Sequence, residues 1–236
     1  MSIKFENTVV TGWESAIRGM RNPMNSWAKS DSWYGCTNGD YGHTEARTCG
    51  EKCTGDCEFC IGPNDLDLMR RLRKGGPDDR KFMRMIAVYV DITAPTFWWQ
   101  EFDTYKVGTV RNSCSKMHKI HVKPFTINDF THEGIDAVSD DHPAVKKKFL
   151  AYIDMCEWLR KMFNDTQEKR FWRALIEALP EGFNMRATIM SNYEVITNQY
   201  RARVAHPHKL NEWRVGFGDW VHSLPHSELI TGEATE

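Results

Sequence analysis

Between Ile92 and His121 the chain reads ITAPTFWWQEFDTYKVGTVRNSCSKMHKIH, a stretch that pairs flat apolar side chains with a dense run of donors. Trp98, Trp99 and Phe102 supply the apolar area, and Thr104, Tyr105, Lys106, Thr109, Arg111, Asn112, Ser113, Ser115, Lys116 and His118 supply the donors. Several hydrogen bonds plus net positive charge are what holds a phosphate, and aromatic neighbours suit a flat heterocycle. The same pattern also fits an aromatic core helix followed by a solvated polar loop. His118 and His121 are three apart and would share a helical face, but a lone histidine pair is more often structural than metal-binding.

Two further groups carry candidate chemistry. The segment 35–61, GCTNGDYGHTEARTCGEKCTGDCEFCI, is short of aliphatic residues and rich in Gly, Cys and charge. Its spacing, Cys49-x3-Cys53-x3-Cys57-x2-Cys60 with Cys36 and His43 upstream, offers four soft ligands on short turns. Zinc favours such a set, iron–sulfur clusters also use cysteine runs, and a reduced, metal-free loop is the alternative. Near the C-terminus, Asn192, Asn198, Arg201, Arg203 and Arg214 fall on or beside two expected helices. Asn192 and Arg203 are 11 apart, three helical turns, and can share a face. An arginine there can hold a phosphate or an imide edge bidentately; an ordinary charged helix surface is the plainer reading.

The elements that must position these residues follow from periodicity and caps. Thr11 and Glu14 fit a capping box for a helix through Met20, with Arg18 and Arg21 on one face. Asn64 is placed to cap a helix with Leu66, Leu68/Met69 and Leu72 inward, closed by Gly75-Gly76-Pro77. Phe82 to Thr93 reads as a central strand, since Ile86, Val88, Val90 and Ile92 alternate with Met85, Ala87, Tyr89 and Asp91. Ala94-Pro95 then opens the helix that carries the tryptophans. Thr126 caps a short turn. A long helix runs from Asp141-His-Pro143 to about Phe163, with Val145, Phe149, Ile153, Cys156 and Leu159 inward and Lys146 to Lys148 towards solvent. Others are expected over about 167–179, 192–204 and 210–223, after which the tail should fray. Helices outnumber strands and cluster C-terminally, which gives an α+β fold with a central sheet, flanking helices and a helical C-terminal half.

Composition bounds the rest. The chain has 236 residues, 41% of them hydrophobic, with nine tryptophans and a formal net charge of −1. That balance argues against a nucleic-acid polymer as partner. No stretch approaches the roughly 18 apolar residues of a membrane span, and MSIKFENTVV lacks the apolar run of a signal peptide. A cytoplasmic protein is expected. Five of the seven cysteines fall within 25 positions, which without a secretion signal favours metal or free thiols over disulfides.

The order of these pieces resembles the flavin-dependent thymidylate synthases, the ThyX family. In that family a helix after a central strand leads into Arg-His-Arg-x-x-Ser-x-Asn-x-x-Ser-x-Arg. Here Thr104, Tyr105 and Lys106 stand where the family has Arg-His-Arg. Thr109 stands for the first Ser, Arg111 falls on the Asn with Asn112 next to it, Cys114 falls on the second Ser between Ser113 and Ser115, and Lys116 stands for the last Arg. No position of the motif is identical, though Lys106, Thr109 and Lys116 keep its chemistry. Asn192 opens a helix on which Arg203 falls at the family's terminal Arg, and Glu212-Trp213-Arg214 falls on Glu-Ile-Arg. The resemblance covers about 65–225 and points to a divergent, phage-type branch.

The resemblance implies one ThyX-like domain over 1–236, in which 35–61 has no family counterpart and is a Cys-rich insertion; its cysteine spacing, not the resemblance, makes Cys49, Cys53, Cys57 and Cys60 the candidates for zinc or an iron–sulfur cluster. It implies a homotetramer with FAD at subunit junctions. The implied reaction moves a methylene from methylenetetrahydrofolate to deoxyuridine monophosphate, with hydride from reduced FAD and electrons from NADPH. Arg203 and Arg214 would be catalytic and bind the pyrimidine nucleotide together with Thr109, Arg111, Ser113, Ser115 and Lys116. Tyr105, Lys106, Asn192 and Asn198 would face the flavin. A nucleotide-binding module without turnover and a metal-stabilised interaction protein remain as alternatives.

Overall fold

A computed structural model describes residues 3–36, 57–206 and 209–233. In chain order it contains β1 (Lys4–Thr11), α1 (Trp13–Arg21), β2 (Trp33–Cys36), β3 (Cys57–Cys60), α2 (Pro63–Lys74), β4 (Ala87–Pro95), α3 (Thr96–Phe102), β5 (Val110–Ser113) and α4 (Lys116–Lys119). There follow α5 (Glu133–Ser139), α6 (Ala144–Thr166), α7 (Lys169–Ala178), β6 (Asn184–Asn192), α8 (Tyr193–Gln199), α9 (Gly218–His222) and α10 (Glu228–Thr231). Wide π-helical turns occupy Tyr200–Val204 and Glu212–Phe217. Four strands form a sheet in the order β1-β4-β6-β5, while β2 and β3 make a separate hairpin. The fold is the mixed arrangement expected. No helix among the described residues is long and apolar enough to cross a membrane.

The chain divides into two compact units. The first is built from Met1–Thr8, Tyr89–Met190 and Arg203–Trp220, and the second from Val9–Val88, Ser191–Ala202 and Val221–Glu236.

In the first unit, β5 pairs antiparallel with β6, from Val110 opposite Met190 to Ser113 opposite Ala187. Val90 and Ile92 of β4 and Ala187 and Ile189 of β6 are buried. Trp98, Trp99 and Phe102 of α3 are buried as well, so the aromatic helix is core. Trp98 stacks on Trp213 with ring centres 4.5 Å apart, and Phe5 stacks on Trp220 at 4.8 Å. Burying such rings removes large apolar areas from water and adds a specific ring geometry. The α6–α7 pair closes over Ile120, Cys156 and Leu175, with Tyr152, Leu159 and Trp172 packed against them. The inner face expected for α6 is the observed one, and Lys147 and Lys148 are exposed. Lys146 departs from that face, bonding Asp136 at 2.8 Å.

In the second unit, a buried ion pair joins α1 to α2. Arg21 donates from Nε and Nη2 to Asp65 Oδ1, each at 2.6 Å. The other Asp65 oxygen accepts from the hydroxyls of Ser30 and Ser32 and from the backbone N–H of Asp31 and Ser32. Arg21 and Arg18 therefore part company: Arg18 is exposed and Arg21 is buried. Gly12 has φ +94°, and a Cβ there would lie 2.2 Å from the Met85 carbonyl oxygen, so only glycine fits.

Several local expectations are corrected. Thr11 gives no capping box, because Gly12 is the N-cap and no side chain caps α1; Glu14 accepts instead from Tyr34 at 2.9 Å. Asn64 lies inside α2, whose first-turn N–H groups at Asn64 and Asp65 are capped from outside by Asp31. Arg80–Met85 is a 3₁₀ turn that buries Phe82 and Met83, so the expected strand begins later, at Ala87, and runs to Pro95. The helix expected over 192–204 widens into the π-turn after Gln199, and that over 210–223 begins as one. The tail does not fray at once: α10 buries Leu229 and Ile230, and Arg73 of α2 donates to their carbonyls at 3.1 and 3.0 Å.

Candidate functional site

The donor run after α3 gathers around Arg111 in the first unit. A recess of about 190 Å³ is lined there by Trp99, Asp103, Arg111, Ser113, Lys116 and Met185, among others. Its floor is set by α3, because Trp99 is buried and donates its indole N–H to the Met185 carbonyl at 3.0 Å. Its side is β5, which carries Arg111 and Ser113. The Arg111 guanidinium lies 5.0 Å from the Trp99 ring centre and 2.8 Å from an Asp103 oxygen. Lys116 enters at the start of α4, whose N-cap is Ser115, its hydroxyl accepting from the His118 N–H at 3.2 Å. Thr109 donates to the Tyr105 carbonyl at 3.1 Å and so shapes the turn before β5. The recess thus combines two cations, a hydroxyl and an aromatic wall against one carboxylate. Such a surface can take an anion that carries a flat ring.

Arg203 sits in a different cluster of the same unit. Its Nη1 is 2.6 Å from Glu101, its Nε donates to the Tyr105 hydroxyl at 2.9 Å, and its Nη2 reaches the Thr104 hydroxyl at 3.4 Å. Lys209 bonds the same Glu101 oxygen at 2.7 Å. The guanidinium also lies over the Tyr105 and Trp213 rings, at 5.3 and 5.7 Å. Arg203 therefore meets the turn after the twin indoles at Thr104 and Tyr105, whereas Ser113 and Lys116 gather around Arg111. Arg214 lies on the second π-turn and is exposed; its backbone N–H donates to the Leu210 carbonyl at 3.1 Å, and its guanidinium makes no hydrogen bond or ion pair among the described residues. π-Turns recur at functional sites because they re-aim side chains within a helix. Lys106 is exposed.

In the second unit, Asn192 is the N-cap of α8. Its side-chain oxygen accepts from the Val195 N–H at 3.0 Å, and the residue is buried. Asn198 is exposed on the same helix. Cys57 and Cys60 lie on β3, with Cys57 opposite Cys36 in register; Cys49 and Cys53 fall outside the described residues. Among the described residues no group of three or more His, Cys, Asp or Glu is placed to hold a metal ion. His121 packs edge-on against Phe163 at 5.1 Å, and His118 is exposed.

Reading the sequence for donors missed their acids. Glu101 holds Arg203 and Lys209, and Asp103 holds Arg111. The signal was present in the alternation of acid with aromatic along WWQEFDTY.

No family model matches the chain, and no curated protein sequence matches it. Solved structures do. A crystal structure of flavin-dependent thymidylate synthase ThyX from Helicobacter pylori, complexed with FAD and dUMP, has a TM-score of 0.65 at 15% identity and covers 98% of this chain and 99% of that one. This chain has the ThyX-like fold. A second H. pylori ThyX structure with FAD and dUMP agrees, with a TM-score of 0.65 at 14% identity. The UMP/dUMP methylase PolB from Streptomyces cacaoi, bound with 5-Br dUMP, follows at a TM-score of 0.56 and 11% identity, over 93% of this chain and 87% of that one. At such identities the likeness is one of ThyX-like fold, and residue roles have to be argued from the side chains themselves.

Proposed function

We propose that this chain is a flavin-dependent thymidylate synthase-like enzyme. It transfers a one-carbon unit from methylenetetrahydrofolate to a deoxyuridylate-type pyrimidine nucleotide, with reduced FAD as hydride donor and NADPH as electron source. The observation that carries this reading is the reach of the fold likeness, which spans nearly the whole of this chain and of a synthase crystallised with FAD and dUMP. The reading takes 1–236 as one ThyX-like domain, 35–61 as an insertion, and a homotetramer as the working form.

In this reading the recess beside Trp99 takes the nucleotide phosphate, with Arg111, Ser113 and Lys116 as donors. Thr109 and Ser115 hold the backbone that presents them. Arg203 and Arg214 polarise the pyrimidine. Glu101, Tyr105 and Thr104 fix the Arg203 guanidinium in place beforehand, and a group already held needs little reorganisation when charge develops. Catalysis is then by positioning and electrostatics, with no enzyme nucleophile.

The residues that would hold FAD are Tyr105 and Lys106, and separately Asn192 and Asn198. Their donor chemistry fits the group. The Tyr105 oxygen accepts from Arg203 and keeps its own proton to donate, Lys106 is an exposed cation, and Asn198 presents an exposed amide. Asn192 has its oxygen engaged at Val195. When bound and reduced, FAD supplies the hydride. The test is NADPH oxidation by purified protein with FAD and methylenetetrahydrofolate. Oxidation that requires a deoxyuridylate, with a methylated product, supports the reading; deoxyuridylate-independent oxidation without product contradicts it.

One observation favours a second reading, a nucleotide-binding module without turnover: Arg203 is already ion-paired with Glu101. That reading expects dUMP to raise the melting temperature while no product forms. The four-cysteine set, if it binds metal, gives stoichiometric zinc or iron in the purified protein and unfolding on chelation.

A further inference from the structure

Among the described residues, positive charge beside α8 exceeds the negative charge available to it. Glu194, Asn198 and Arg201 follow one another at intervals of four and three, about a turn each, along α8 and into the π-turn that continues it. Arg80 grips the buried Glu194 with two bonds of 3.2 Å and also reaches the Gly75 carbonyl at 3.4 Å. Arg73 spends its donors on the Leu229 and Ile230 carbonyls, which order it without cancelling its charge. The Arg201 side chain is exposed and makes no hydrogen bond or ion pair among the described residues. Two other described acids of the C-terminal segment are engaged: Glu228 pairs with Arg70 at 2.9 Å, and Glu233 accepts from Tyr200 at 3.4 Å. Burial pushes the Arg73 guanidinium's pKa down, and the charges of Arg201 and Arg80 add to that, against Glu194. Among the described residues, three guanidiniums thus share the Glu194 carboxylate.

Clustered like charges repel unless an anion neutralises them, and guanidinium is the group that binds phosphate oxygens in a planar fork. We propose that Arg201, backed by Arg73 and Arg80 and flanked by Asn198, binds the phosphate-ester anion of a nucleotide, with the diphosphate of FAD as the occupant favoured by the proposed function. The identity of the nucleotide rests on that reading, while the anion site rests on the arginines alone.

The test is calorimetric titration of the full-length wild type and of Arg201→Ala with FAD, riboflavin, dUMP and inorganic pyrophosphate. The Arg201 side chain loses no bonding partner among the described residues, so an unchanged melting temperature is expected for the variant. Loss of one charge-assisted contact should weaken FAD and pyrophosphate about tenfold or more, leave riboflavin unchanged, and flatten the salt dependence of FAD binding. Weakening of dUMP and pyrophosphate with FAD untouched would support the site and assign it to the substrate phosphate. Equal affinities of wild type and variant for every phosphate ligand would overturn the inference and leave the proposed function standing. A wild type that takes up neither FAD nor dUMP would overturn the proposed function, and the pyrophosphate titrations would still decide the site.

Discussion

Arg111 is held from two sides, by the Asp103 carboxylate and the face of Trp99, so an incoming phosphate competes with only one partly exposed acid. Arg111→Ala should therefore raise the KM for a deoxyuridylate about tenfold or more, the worth of one charge-assisted contact. Its melting temperature should barely move, since an exposed pair contributes about 0–1 kcal/mol; steady-state kinetics and a thermal melt on the same sample check both. Arg203 behaves differently, because Glu101 also balances Lys209. Glu101→Gln leaves two cations sharing a neutral amide in a half-buried place. We expect a loss of about 1–2 kcal/mol in urea unfolding together with reduced kcat, as the guanidinium loses its fixed position. At this scale the sequence was legible in its donors: type and spacing singled out Arg111, Ser113, Lys116 and Arg203. It was not legible in how they sort, because Asp103 and Glu101 look like solvated acids until the fold turns each towards one arginine.

At the scale of elements, the segment 30–32 acts as a strap over the start of α2. Asp31 caps the helix, and Ser30 and Ser32 complete the shell of Asp65. Burial pushes the Asp65 carboxyl up, but bonds from Ser32, Ser30 and Arg21 outweigh it and leave the pKa below the ordinary carboxylate value. A depressed folded-state pKa contributes stability that is present above the unfolded value, near 3.8, and lost as pH falls through the folded one. Wild type should lose stability on acidification below about pH 4, and part of that acid limb should vanish in Asp65→Ala. The variant leaves Arg21 buried without a counter-charge, at a cost of about 3–5 kcal/mol near neutral pH. Denaturant midpoints measured from pH 3 to 7 read both effects. Elements with strong periodicity were legible here, namely α3, α6 and the core of β4. The strand β6 was not, although Ala187 and Ile189 alternate with exposed Arg186 and Thr188, because it runs straight into the Asn192 cap of α8 with no turn residue to mark its end. The α2 cap was hidden for another reason: Asp31 is 33 residues from the N–H of Asn64 that it satisfies.

At the scale of the molecule, the sheet order β1-β4-β6-β5 brings β5, the strand with the donors, beside β6 at the edge of the sheet. That placement explains how a motif with no identical position can still present cations and a hydroxyl beside an aromatic wall. The ordering of strands comes from pairings distant in sequence and could be expected only through the family resemblance; the α+β class came from the elements themselves. The proposed reaction requires a flavin that serves a pyrimidine nucleotide. The most direct measurement is the visible absorbance spectrum of the purified protein, recorded after FAD is offered and again after NADPH and dUMP are added. The account predicts bound flavin that NADPH bleaches and that turns over only with the nucleotide and methylenetetrahydrofolate present. A colourless protein that takes up no FAD and binds no dUMP would contradict it.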